Sequence, residues 1–182
     1  MKKAVVFLAD GFEDIEALAP VDILRRGGVD LTIAGVTGMQ VVSSHNVKIM
    51  ADKDVKDIKT DDYDAFICPG GMPGASNLRD SSIVIDIIKE AYGKGKIVSA
   101  ICAAPMVLDK AGILADKDFT MYPGMENNAP SGSYKNDKFV VKDGKVITGA
   151  GPAAAFEYAF ELLAELQGKE IASQVAKGML FK

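Results

Sequence analysis

Cys102 and Glu16 are the two side chains of this sequence best suited to chemistry, one as a nucleophile and the other as a proton carrier. Cys102 follows the apolar run Ile97-Val98-Ser99-Ala100-Ile101 and precedes Ala103-Ala104-Pro105. That order reads as a strand running straight into a helix, an elbow that lifts the side chain above a sheet and strains its backbone. Such a helix aims unpaired N–H groups and a partial positive charge at the sulfur, and both favour thiolate over thiol. Pro105 suits a first helical turn. A thiolate so placed adds to carbonyl carbons and oxidises readily. The residues alone leave open a second reading, a buried core cysteine.

Glu13, Asp14 and Glu16 fall at the start of the first helical pattern. Acids there are ordinary partners of a helix N-terminus, but Glu16 lies further in. If it points at Cys102, two negative groups compete. A raised Glu16 pKa resolves the conflict, giving a carboxylic acid that donates a hydrogen bond to the thiolate. Pro69-Gly70-Gly71-Met72-Pro73-Gly74 is a loop that can present backbone N–H groups at close range. It is no phosphate-binding Walker loop, since no Gly-Lys-Ser/Thr follows. The amides of Gly71 and Ala103 are candidates for an oxyanion hole, and Gly70 and Tyr122 for the pocket wall. The steric needs of a turn account for the same glycines.

Other motifs carry less. Cys68 also ends a strand, but Pro69 follows and no helix starts there, so it reads as a small buried apolar residue. With one histidine, His45, and no C-x-x-C, a zinc site is not expected. Gly149-Ala150-Gly151-Pro152-Ala153-Ala154 matches G-x-G-x-x-A, yet the second strand with a ribose-binding acid is missing, so no dinucleotide is expected.

The elements that must position these residues alternate. Strands are expected at Lys3–Leu8, Val29–Gly35, Ala65–Cys68 and Lys96–Ile101, with a hairpin of Phe139–Val141 and Lys145–Thr148 around Asp143-Gly144. Helices are expected at Ile15–Arg26, Ser82–Tyr92, Ala103–Ala111, Pro152–Leu166 and roughly Lys169–Lys177. In the Pro152–Leu166 helix the inward side chains read as Phe156, Ala159, Phe160, Leu163 and Leu166. Residues Tyr122–Lys138, rich in Pro, Gly, Asn and Ser, read as a long loop. The alternation implies an α/β fold, a mostly parallel sheet with helices on both faces, in one domain over 1–182. Sites in such sheets lie beyond the carboxyl ends of the strands, where Asp10–Glu16, Pro69–Gly74 and Cys102 all fall.

Composition narrows the partners. The net charge is −4, with no basic run that would grip nucleic acid. No apolar stretch reaches the ~18 residues of a membrane span. The apolar run after Met1 is too short for a signal peptide and ends in Asp10-Gly11-Phe12-Glu13-Asp14, so a reducing cytoplasm is expected.

The chain resembles the ThiJ/PfpI superfamily, specifically its DJ-one branch, over essentially its whole length. The carrying segments are Ala9–Glu16, Pro20–Gly28, Pro69-Gly70-Gly71 with Gly74–Leu78, Ala100–Pro105, and Gly151-Pro152 with Phe156-Glu157. The resemblance implies a flavodoxin-like three-layer sandwich, a homodimer and no cofactor. It maps the family's nucleophilic or redox-sensing cysteine onto Cys102, its protonated glutamate onto Glu16, and its oxyanion amides onto Gly71 and Ala103. The activities it implies are cofactor-free glyoxalase action on small reactive aldehydes, deglycation of their adducts, chaperone behaviour and peroxide sensing. One position departs from the pattern. Many members carry a histidine in a Thr-His-Pro context, and here Thr120-Met121-Tyr122-Pro123 places a tyrosine there. Peptidase chemistry, which wants an acyl-transfer base, is therefore the least expected. Aldehyde chemistry at Cys102 leads, oxidation of Cys102 to a sulfinate is the alternative, and an inert structural relative is the third reading.

Overall fold

A computed structural model describes residues 1–181. In chain order the elements are β1 (Lys3–Leu8), α1 (Asp14–Arg26), β2 (Asp30–Gly35), β3 (Gln40–Val42), β4 (Lys48–Met50), β5 (Lys53–Asp54) and β6 (Ala65–Cys68). Then come α2 (Gly74–Asp80), α3 (Ser82–Gly93), β7 (Ile97–Ile101), α4 (Pro105–Lys110), β8 (Asp118–Phe119) and β9 (Ser133–Tyr134). The chain continues through β10 (Val140–Asp143), β11 (Val146–Gly149), α5 (Ala155–Gln167) and α6 (Lys169–Gly178).

Seven strands form one sheet in the order β10-β11-β7-β6-β1-β2-β5. Every pairing is parallel except the β10–β11 hairpin at the edge. Strands β6, β7 and β11 are buried at every residue, as their largely apolar sequences require of strands covered on both faces. Helix α5 packs against both α1 and α6, and α2, α3 and α4 form a second group. The result is the mostly parallel, helix-flanked sandwich expected. Because β7, β6 and β1 are neighbours, the three loops singled out above rise side by side from adjacent strand ends. Among the described residues, no helix is long and apolar enough to cross a membrane.

Several local expectations need correction. The helix after Cys102 begins at Pro105, not Ala103, and runs only to Lys110. Residues 102–104 form a turn instead. Helix α2 and the β3–β4 hairpin are additional elements. Within α5 the buried side chains are Ala155, Tyr158, Ala159, Leu162, Leu163 and Leu166, while Phe156 is exposed and Phe160 half-buried. Tyr158 takes the inward place because its hydroxyl finds a buried partner, Ser99 Oγ at 2.8 Å. The 122–138 stretch is mostly irregular, with a short turn at Glu126–Asn128, and β9 pairs with β8.

Candidate active site

Helix α1 starts where the Glu13 side chain accepts the Glu16 N–H at 2.7 Å, an N-cap that satisfies one of the orphan donors. One helical turn in, Glu16 faces the interior and is fully buried. The Glu13 N–H donates to the Gly70 carbonyl at 3.0 Å, which ties the start of α1 to the glycine loop after β6. In that loop Gly71 has φ +86°, and a Cβ on it would lie 2.3 Å from the Glu13 nitrogen and 2.6 Å from the Gly11 oxygen. Only glycine satisfies both the backbone angle and the crowding.

Cys102 stands at the end of β7 with φ +63°. A non-glycine residue in this left-handed region stores ~1–3 kcal/mol and persists only where its surroundings hold it. They do so through two backbone bonds: Cys102 N–H donates to the Gly149 carbonyl, and Tyr122 N–H donates to the Cys102 carbonyl, each at 2.9 Å. The residue is 9% exposed.

The site joins the predicted residues closely. The Cys102 thiol and the Gly70 N–H face the Glu16 carboxyl, and the N–H groups of Gly71 and Ala103 face the Cys102 sulfur. Gly70 is not an open pocket wall. It is wedged in the site, where a Cβ would sit 2.5 Å from Glu16 Oε2 and 2.7 Å from the Cys102 Cβ.

The electrostatics follow from burial. Burial lifts the Glu16 carboxyl to about 7; the charge of Glu13 adds to the rise, and the Cys102 thiol and the Gly70 N–H oppose it. Burial pushes the Cys102 thiol up to about 12, helped by an ionised Glu16 and the hydrogen bond to it, and opposed by the Gly71 and Ala103 amides. The two groups compete for one proton. Neither Glu16 oxygen meets a partner at full hydrogen-bond geometry, so a bare carboxylate there would pay a desolvation cost with little return. With the proton on Glu16, its opposition to the thiolate disappears and the two amides work against burial alone. The sulfur thus relies on Glu16 and on single amides, and α4 is too short and begins too late to supply the expected helix-end field.

Other sequence candidates lie apart. His45, at the tip of the β3–β4 hairpin, faces Asp14, with Nδ1 2.6 Å from Oδ2, and is largely exposed. Cys68 is fully buried. Tyr122 flanks the site through its backbone, with its ring exposed. Gly149, which the sequence offers only within a rejected dinucleotide motif, is the acceptor that holds the Cys102 amide. Its position at the end of β11, beside the end of β7, was the available signal.

Residues 2–165 match the DJ-1/PfpI family. The chain is 41% identical to Protein dj-1beta of Drosophila melanogaster, over 98% of this chain and 97% of the relative. It is 34% identical to a Caenorhabditis elegans protein named glutathione-independent glyoxalase DJR-1.2, over 97% and 95%. The crystal structure of Drosophila melanogaster DJ-1beta superposes with a TM-score of 0.96 at 40% identity, covering 100% of this chain and 98% of that one. A flavodoxin-like sandwich with a cysteine elbow facing a buried glutamate defines the class. The chain belongs to the DJ-1/PfpI family.

Proposed function

We propose that this protein is a cofactor-independent cysteine enzyme acting on small reactive aldehydes or their adducts. The observation that carries the reading is the fully buried Glu16 carboxyl facing a Cys102 sulfur that two backbone N–H groups also face. The name of the Caenorhabditis elegans relative, glutathione-independent glyoxalase, supports it.

For methylglyoxal the Cys102 thiolate adds to the aldehyde carbon, forming a C–S bond. Protonated Glu16 gives its proton to the new alkoxide, which yields a hemithioacetal. Glu16, now ionised, takes the hydrogen of that carbon as a proton and returns it to the adjacent carbon, while the hydroxyl proton passes between the two oxygens. The product is a lactoyl thioester. Water, losing a proton to Glu16, attacks the thioester carbon and the C–S bond breaks, which restores the thiolate and protonated Glu16; the lactic acid released gives its proton to solvent and leaves as lactate. The Gly71 and Ala103 amides stabilise the oxyanions. The test is turnover of methylglyoxal by wild type, Cys102→Ser and Glu16→Ala. Loss in both variants is expected, and equal turnover in all three rules the mechanism out.

A second reading, oxidant sensing, has its own observation: both Glu16 oxygens are buried without a satisfied hydrogen bond, and the carboxyl faces the sulfur. A Cys102 sulfinate would accept hydrogen bonds from protonated Glu16 and the two amides. Intact mass under mild peroxide then shows a lasting two-oxygen gain on Cys102 that Glu16→Ala loses, and no gain excludes the sensor. We further propose a cytoplasmic homodimer. An apolar cleft of about 460 Å³ lined by Ile15, Leu18, Ala19, Phe156 and Met179 leaves a face for a second copy. Sedimentation at one 19.3 kDa chain would exclude the dimer.

A further inference from the structure

Tyr158 on α5 and Ser99 in β7 form a polar pair in the core that the mechanism above does not use. Both are fully buried. The Tyr158 hydroxyl donates to Ser99 Oγ at 2.8 Å, and Ser99 Oγ donates in turn to the Phe66 carbonyl of β6 at 3.3 Å. Burial pushes the Tyr158 hydroxyl up, so it keeps its proton and stays a donor. Ser99 is paired with Ile67 of β6 on one side and Ile147 of β11 on the other. Packing alone asks for no polar atom in this place. Replacing both partners of a buried hydrogen bond by apolar groups of similar shape is nearly neutral for stability. What a satisfied buried pair adds is a fixed geometry.

The geometry it fixes is that of the Cys102 elbow. Side chains two residues apart share one face of a strand, so Ser99 and Ile101 lie on the same side of β7. The Tyr158 ring lies against Gly149, which pairs with Ile101. A Cβ on Gly149 would sit 3.2 Å from Tyr158 Cδ2 and 2.9 Å from the Ile101 side chain. The ring therefore runs along the sheet from Gly149 back to Ser99. The Gly149 carbonyl accepts the Cys102 N–H at 2.9 Å, one of the two bonds that hold the left-handed Cys102. Through Phe66 the same chain of hydrogen bonds reaches β6, which leads into Gly70 and Gly71. Directly or through Ser99, one tyrosine ties together the three strands whose ends frame the sulfur.

We infer that Tyr158 and Ser99 are positioning residues for the reaction at Cys102: their buried hydrogen bond holds the ends of β6, β7 and β11 in the arrangement that keeps the sulfur before Glu16 and the Gly71 and Ala103 amides. The inference rests on the reading of Cys102 as the reacting thiolate, and not on the identity of the substrate.

The test reads the pH profile of Cys102 alkylation by peptide mass, kcat and KM for methylglyoxal, and urea midpoints, in wild type, Tyr158→Phe, Ser99→Ala and the double variant. Tyr158→Phe raises the alkylation midpoint by about half a pH unit, as the sulfur moves off its donors. It lowers kcat by more than about threefold and leaves KM within about twofold. Ser99→Ala does the same and costs more stability, because it leaves the Tyr158 hydroxyl buried without a partner. The double variant has no such orphan, so its urea midpoint returns toward wild type while its alkylation midpoint and kcat stay shifted. Recovery of all three in the double variant, or an alkylation midpoint that no variant moves, would overturn the inference and leave the thiolate reading intact. Absence of methylglyoxal turnover in wild type removes the aldehyde reading, and the alkylation profile then decides alone. A wild-type alkylation midpoint at or above ~8.5 overturns the thiolate reading and this inference with it.

Discussion

The Glu16 carboxyl and the Cys102 side chain meet across Gly70, with no room between them for even one methyl group. A Cβ on Gly70 would lie 2.5 Å from Glu16 Oε2, 2.7 Å from the Cys102 Cβ and 2.8 Å from the Ile101 carbonyl oxygen. The carboxyl and the thiol are thereby held within range of one proton.

Gly70→Ala therefore separates the pair. The Glu16 end is flexible and can move, but the Ile101 carbonyl is backbone and cannot move cheaply. Overpacking of this kind costs ~1–3 kcal/mol. Urea unfolding should show that loss, and aldehyde turnover should fall by more than about tenfold as the Glu16–Cys102 geometry opens. Wild-type turnover in Gly70→Ala would mean that the close approach does not matter.

Gly71→Ala tests the amide donors. Its Cβ meets only backbone, the Glu13 nitrogen, the Gly11 oxygen and the Phe12 carbonyl carbon, within 2.3–2.6 Å, and φ is +86°. The loop must shift and carry the Gly71 N–H away from the sulfur. Loss of one oxyanion donor costs ~10²–10³ in kcat. Gly144→Ala is the control, with φ +62° and nothing within 4 Å of the added Cβ. It carries the left-handed backbone penalty of ~1–2 kcal/mol without touching the site. Equal kcat losses in the two variants would assign the Gly71 effect to stability rather than to the donor.

Glu16 also writes a pH dependence into stability. Below its ordinary value of 4.5 the carboxyl is protonated both folded and unfolded. Between 4.5 and about 7 the folded chain keeps a proton that the unfolded chain has lost, so stability falls as pH rises through that window. The fall is on the order of 3 kcal/mol. In Glu16→Gln, which cannot titrate, that contribution is gone. Urea midpoints from pH 4.5 to 8 should diverge between the two proteins, with the wild type losing stability relative to the variant. Parallel curves would show that Glu16 does not hold its proton in the folded state.

Much of this arrangement was legible in the sequence, for physical reasons. The short, nearly all-apolar runs of β6 and β7 fit a sheet buried on both faces. The chemistry-bearing residues fall at strand ends, where a parallel sheet gathers its sites. The rest depended on tertiary context. Helix α2, Gly74–Asp80, has seven residues and too short a pattern to show a period. The β3–β4 hairpin has strands of three residues each, too short for an alternation to show. Helix α5 is apolar on more than one side because it packs against α1, α6 and β11, so its inward face was misread at Phe156 and Tyr158. Ala103 and Ala104 are good helix formers, yet the left-handed Cys102 delays the helix to Pro105. That delay took away the helix-end field expected at the sulfur and left Glu16 with the larger part.

The most direct test of that division is the pH profile of Cys102 alkylation, read by peptide mass so that buried Cys68 is scored separately, in wild type and Glu16→Ala. If Glu16 carries the shared proton, the wild-type rate rises through a midpoint below the unperturbed thiol value of ~8.5. Removing the carboxylic acid donor then moves the midpoint up. A wild-type midpoint above ~8.5 that drops in Glu16→Ala would contradict the account, because it would show an ionised Glu16 suppressing the thiolate rather than stabilising it.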